Sequence, residues 1–179
     1  AGTLNDDGSY TLTPDQFAGL TMTVSSSVPD DFDLSIVATA VENDGDTAST
    51  ATSLHVEVAA QPELGVHAAE GYEDAPIVLN IDSALTDMDG EALSITISDI
   101  PEGAVLVSGG VEYTPTDGSL LFTEDMINAG VLDDLHIIAP ENSNADFVLN
   151  VTATSTTAAG DIAEVDVPWN VTVFGVADD

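Results

Sequence analysis

The feature that most restricts this chain is that it repeats itself. Residues 31–46 read DFDLSIVATAVENDGD, and residues 146–161 read DFVLNVTATSTTAAGD. At this offset of 115, Asp31/Asp146, Phe32/Phe147, Leu34/Leu149, Ala38/Ala153, Thr39/Thr154, Gly45/Gly160 and Asp46/Asp161 are identical, and Val56 and Val58 match Val171 and Val173. Upstream the offset falls to 110, where Asp7, Gly8, Ser9, Thr13 and Asp15 match Asp117, Gly118, Ser119, Thr123 and Asp125. Self-similarity at so long a period marks a modular array. The reading is one complete repeat, 61–179, preceded by the C-terminal half of another, 1–60, with Pro62 at the join AAQPELG. A half repeat leaves open sheet edges and an uncovered apolar face, so it is expected to take strands from an upstream stretch or a neighbouring chain.

Within each repeat the hydrophobic period is two. LSITIS (93–98), FVLNVTAT (147–154), LSIVATAV (34–41), TMTV (21–24) and LHVEV (54–58) alternate in polarity and are rich in Val, Ile and Thr. Turn clusters separate them: NDDGS (5–9), ENDGD (42–46), TPTDGS (114–119) and ENSNAD (141–146). Only TPDQFAGL (13–20) and TEDMINAGVL (123–132) look helical, each opening on a Thr N-cap and lasting a turn or two. Short strands with frequent turns predict an all-β sandwich.

Charge decides which partners are open to it. The chain has 33 Asp plus Glu, three His and neither Lys nor Arg, a formal charge of −33, yet 44% of its residues are hydrophobic. It can bury a core, but it has almost no ion pairs to offset self-repulsion. Counter-charge is expected from salt or a bound cation. Nucleic acid and anionic membranes are excluded as partners, because phosphate contacts need cationic side chains. Without cysteine there is neither a disulfide framework nor a thiolate metal site. No apolar run approaches the ~18 residues of a membrane span. The start at Ala1, without a Met or a basic leader, is expected of a piece of something longer or of a processed product.

LTDMDGEALSITI (85–97) crowds Asp87, Asp89 and Glu91 around Gly90 just before an alternating strand. A metal loop, a solvated turn and a generally acidic surface all fit that pattern. The order GYEDAPIVLNI (71–81), LTDMDGEALSITISDIP (85–101), SLLFTEDM (119–126), NADFVLNVTATS (144–155) and NVTV (170–173) resembles the tandem Ig-like or cadherin-like repeats of giant bacterial RTX-type surface adhesins. The likeness covers 66–174 and, in its second half only, 1–58. It implies tandem Ig-like/cadherin-like β-sandwich domains, the first only partly represented, which are stiffened by calcium. They would be extenders in a secreted protein at the bacterial cell surface, holding a distal binding module away from the cell. The implied partners are neighbouring repeats of the same chain or of another copy.

Residue chemistry agrees. Calcium takes six to eight hard oxygen ligands and tolerates closely spaced carboxylates, and Gly90 permits the turn that lets Asp87, Asp89 and Glu91 converge. The loop is not an EF-hand, because a strand follows at once. Further ligands must come from distant chain, and YEDAP (72–76) offers Glu73 and Asp74. In cadherin-like repeats a Glu-Asp pair near the first strand joins the Asp-x-Asp loop, so the resemblance carries over to these two. Asp146 and its equivalent Asp31, each opening a long strand, follow as candidates. Both groups, Glu73–Asp74 and the DMDGE loop, are expected at the end of the complete repeat that meets residues 1–60.

NDGD (43–46) reads as a type I′ turn, and Asp46 and Asp161 as weaker ligand candidates. His55, His67 and His136 form no site, and Trp169, aligned with Leu54, reads as core. Catalysis is not expected: Lys, Arg and Cys are missing and the acids sit in turns. The alternatives are a segment or subunit of an extracellular filament with strand exchange, and a sugar- or peptide-binding adhesin module. Behind all of them stands a metal-free halophilic domain.

Overall fold

The computed structural model describes residues 2–24, 31–88 and 90–177. Its first part holds β1 (Thr3–Leu4), β2 (Tyr10–Thr11), the single-turn helix α1 (Pro14–Phe17), and the long hairpin β3 (Phe32–Val41) and β4 (Thr47–Val56). Then follow β5 (Glu63–Val66), β6 (Ala69–Tyr72), β7 (Pro76–Val78), β8 (Ile81–Ala84), β9 (Ala92–Ser98), β10 (Val105–Ser108), β11 (Val111–Tyr113) and β12 (Leu120–Phe122). Helix α2 (Glu124–Asn128), β13 (Leu135–Ile138), β14 (Phe147–Thr156) and β15 (Ile162–Phe174) complete the order. Thr13 and Thr123 stand at the N-cap positions of the two short helices, as the sequence predicts, and Thr13 forms a capping box with Gln16.

The fold is all-β and of the sandwich type. One sheet has the order β12-β9-β14-β15-β6, the other β11-β10-β13-β7. Every pairing in them is antiparallel except β15 with β6, which is parallel. Period-two patterning does the packing: Leu93, Ile95 and Ile97, then Leu149, Val151 and Ala153, then Trp169, Val171 and Val173 are all buried. They meet Ile77, Leu106, Leu135 and Ile137 of the opposite sheet in one cluster. The Trp169 indole N–H donates to the His67 carbonyl, which satisfies its polar end inside the core. Among the described residues no helix is long and apolar enough to cross a membrane.

The sequence repeat reappears as geometry. β3 and β4 pair over ten positions from Phe32↔Val56 to Val41↔Thr47, and β14 and β15 pair over the same ten, 115 residues later. Both hairpins close identically: Glu42 N–H to Asp46 O with Gly45 N–H to Glu42 O, and Thr157 N–H to Asp161 O with Gly160 N–H to Thr157 O. This corrects the type I′ reading of NDGD. Of the two central residues only Gly45 has a positive φ (96°), whereas type I′ needs both, so the loop is the longer kind ending on a left-handed glycine. Two positive φ values in a row, as type I′ requires, occur at Asp117–Gly118 (51° and 73°) and at Gly109–Gly110 (57° and 78°) between β10 and β11. TMTV (21–24) is not a strand: it alternates, but it pairs with no other described strand, and alternation alone does not make a strand.

The β1–β2 loop shows a small electrostatic consequence of this turn chemistry. The Ser9 hydroxyl and N–H both donate to Asp7 Oδ1, at 2.7 and 3.0 Å, and hold its carboxyl below the ordinary value, the hydroxyl most of all. A carboxyl depressed by folding contributes stability above its unfolded pKa, and loses that contribution as pH falls through the folded value. Ser9→Ala should move the Asp7 midpoint upward, toward the ordinary value of about 3.9, in a carboxylate NMR titration. An unchanged midpoint would remove the hydroxyl from the explanation.

Candidate metal centre

Between β4 and β5 the chain crosses residues 57–62, and carboxylates from both sides hold that crossing. Val58 N–H donates to Asp31 Oδ1 (2.7 Å) and Ala60 N–H to Glu91 Oε1 (2.9 Å). The other Glu91 oxygen accepts the Ser155 hydroxyl at 2.7 Å. Thr86 Oγ1 donates to the Gln61 carbonyl, and Gln61 Nε2 to the Glu164 carbonyl. Here Asp31, Glu57, Asp87, Glu91 and Thr157 line a cavity of about 10 Å³. That is room for one water-sized occupant.

The strands explain this convergence. Asp31 immediately precedes β3 and Glu57 immediately follows β4, so the paired ends of the hairpin place them together. Glu91 immediately precedes β9, whose Ala92 faces Thr156 at the end of β14, next to Thr157. Asp89, the middle acid of the loop, lies outside the described residues. His55 stands beside the group, with Nδ1 3.1 Å from Asp33 Oδ1 and Nε2 3.4 Å from Asp31 Oδ2. The Asp33 hydrogen bond first, then the two nearby carboxylates, raise the His55 pKa.

The other predicted ligands lie elsewhere. Tyr72 pairs with Phe174 at the far end of β15, while Glu91 sits near its beginning. Thirteen residues of extended strand separate the two ends by about 40 Å. The expectation that Glu73–Asp74 and the DMDGE loop share one end is therefore corrected. The cause is the parallel pairing of β6 with β15, which carries the Glu-Asp pair to the exit of the repeat. There Glu73 is buried and its Oε1 accepts the Val176 N–H, while Asp146 Oδ1 accepts the Val173 N–H at 2.8 Å. Asp74, in left-handed conformation, accepts the Asn142 N–H at 3.0 Å. Asp146 thus repeats the Asp31–Val58 bond 115 residues on, and the exits of both repeats are held by carboxylates. Asp46 lies at the opposite end of β3 from Asp31, and Asp161 N–H donates to the Thr157 hydroxyl beside the cavity.

Sequence reasoning missed Glu57, Thr157 and the Asp33–His55–Asp31 contact. The signal was present: LHVEV puts His55 and Glu57 on one face of a period-two strand. The remaining histidines also face acids, His67 with Asp82 and His136 with Asp134. The donor set at the crossing is hard oxygen throughout, which suits calcium. Among the described residues, however, no three or more acid or histidine side chains close into metal-binding geometry. A wide open groove lies between the β5–β8 pair and α2, walled by Leu64, Ile81, Ile127 and Leu132 with Asp82 and Asp133, and no aromatic ring lines it. No protein-family model matches this chain, and a search of curated proteins finds no match.

Proposed function

We propose that this chain is a calcium-stiffened structural extender repeat of a long, secreted bacterial surface adhesin, one that holds a distal binding module away from the cell. The observation that carries this reading is the cavity at residues 57–62, where carboxylates from before the crossing (Asp31, Glu57) and after it (Asp87, Glu91) face one small space. Calcium would supply the positive charge that a chain without Lys or Arg lacks, and would accept several carboxylates at once. Asp31 and Glu91 already grip the backbone at Val58 and Ala60, so a cation between them would stiffen a hinge that hydrogen bonds only bracket. Asp89, two residues from Asp87, is a further ligand in this reading. Glu73, Asp74 and Asp146 would serve in the same way where the repeat meets its next neighbour. Catalysis has no part in this role.

Extracellular calcium modules bind with Kd of roughly 10⁻⁴–10⁻³ M. Calorimetric titration of the chelator-stripped chain should show calcium binding in that range or tighter. Asp87→Asn combined with Glu91→Gln should abolish at least one binding event. Binding unchanged in the double variant would remove the crossing as the site, and no calcium uptake at all would remove the function.

A further inference from the structure

The two copies of the long hairpin have the same register and opposite surroundings. β14 is flanked by β15 on one side and by β9 on the other, over seven positions from Asn150↔Ser98 to Thr156↔Ala92. β3 pairs with β4 alone among the described residues. Leu149, Val151 and Ala153 are fully buried, whereas their counterparts Leu34 and Ile36 are half-buried and Ala38 is exposed. Leu54 is 51% exposed where Trp169 is 2% exposed. No described residue before Ala60 is buried. A two-stranded hairpin with both edges free and an apolar face in water is marginal by itself.

What fits this face is written in the other copy. The positions that meet the core in β14 are kept in β3: Leu34 for Leu149 and Ala38 for Ala153. We infer that the β3–β4 hairpin is a docking face for the front half of a repeat like residues 61–111. Its β9-type strand, with the apolar and hydroxyl alternation of ALSITIS, adds antiparallel to β3 along residues 35–41. This is strand addition, in which backbone bonds give the affinity and alternate side chains the specificity. It depends on the repeat and its register, not on a metal.

The experiment is hydrogen exchange on the full chain with a synthetic peptide of residues 91–101, in calcium and again in chelator. A second form, a variant carrying another copy of residues 61–111 joined ahead of residue 1, covers the case where a single strand binds too weakly. Amides within 35–41 should slow by about 100-fold with one or the other partner, as local opening is suppressed. Protection in chelator separates this claim from the calcium reading. Ala38→Glu, on the face equivalent to the buried Ala153, should abolish the protection, and Thr39→Glu, on the other face, should keep it. The inference is overturned if neither partner slows these amides. It is equally overturned if they are already protected in the chain alone and become exposed on dilution, since a second copy would then be the cover.

Discussion

Leu149→Ala should destabilise the protein by about 2–5 kcal/mol, while Leu34→Ala, the same substitution at the equivalent position, should cost below about 1 kcal/mol. Leu149 is fully buried in the core cluster, opposite Trp169 on β15, and removing its methyl groups leaves a cavity there that a close-packed core cannot fill. Leu34 is only half-buried on a hairpin that no other sheet faces among the described residues, so water takes up the vacated space. Urea unfolding of the two variants measures the difference, which for a unit of this size is about 10 °C or more in Tm. Equal costs at the two positions would contradict the picture of one filled sandwich and one open hairpin. With the front-half segment docked, Leu34→Ala should become the more costly, because its side chain would then be core.

The alternation of LSITIS and FVLNVTAT made the strands and the all-β class legible, since period two leaves a half-buried strand as the economical solution. The repeat went further: identities at an offset of 115 marked 31–58 and 146–173 as equivalent stretches, which form two hairpins of the same register. Burial was less legible. Leu34 and Leu149 sit in nearly identical local sequence, and only the sheet opposite distinguishes them. TMTV carried the right pattern but pairs with no strand among the described residues. At the candidate site, the DMDGE loop and Asp31 were readable as clustered carboxylates. Their meeting with Glu57 and Thr157, and the separation of Glu73 from Asp87, were not, because both follow from which end of β15 receives β6. Strand composition does not encode that. Asp44–Gly45 and Asp117–Gly118 make the same point at turns, where loop length and not the dipeptide sets the backbone.

Removing calcium should produce the second large effect. In the metal-free chain Asp31, Glu57, Asp87 and Glu91 face one cavity, and the chain has no Lys or Arg to neutralise them. A ligand that binds only the folded state stabilises it by about 2.7 kcal/mol at a hundred times its Kd. With calcium held at both ends of the repeat, as proposed, the expected loss on chelation is several kcal/mol. Salt is the competing source of counter-charge. At 1 M ionic strength the Debye length is about 3 Å, so sodium chloride relieves long-range repulsion but cannot replace an ion held by convergent carboxylates.

The most direct measurement is the melting temperature of the chain in millimolar calcium and in excess EGTA, at matched and moderate sodium chloride. A fall of about 10 °C or more in EGTA is expected, restored by calcium and clearly smaller in the variant carrying Asp87→Asn and Glu91→Gln, which keeps the carboxylates at the other end of the repeat. A melting temperature that is unchanged by EGTA, or that sodium chloride alone restores in full, would contradict a calcium-stiffened repeat.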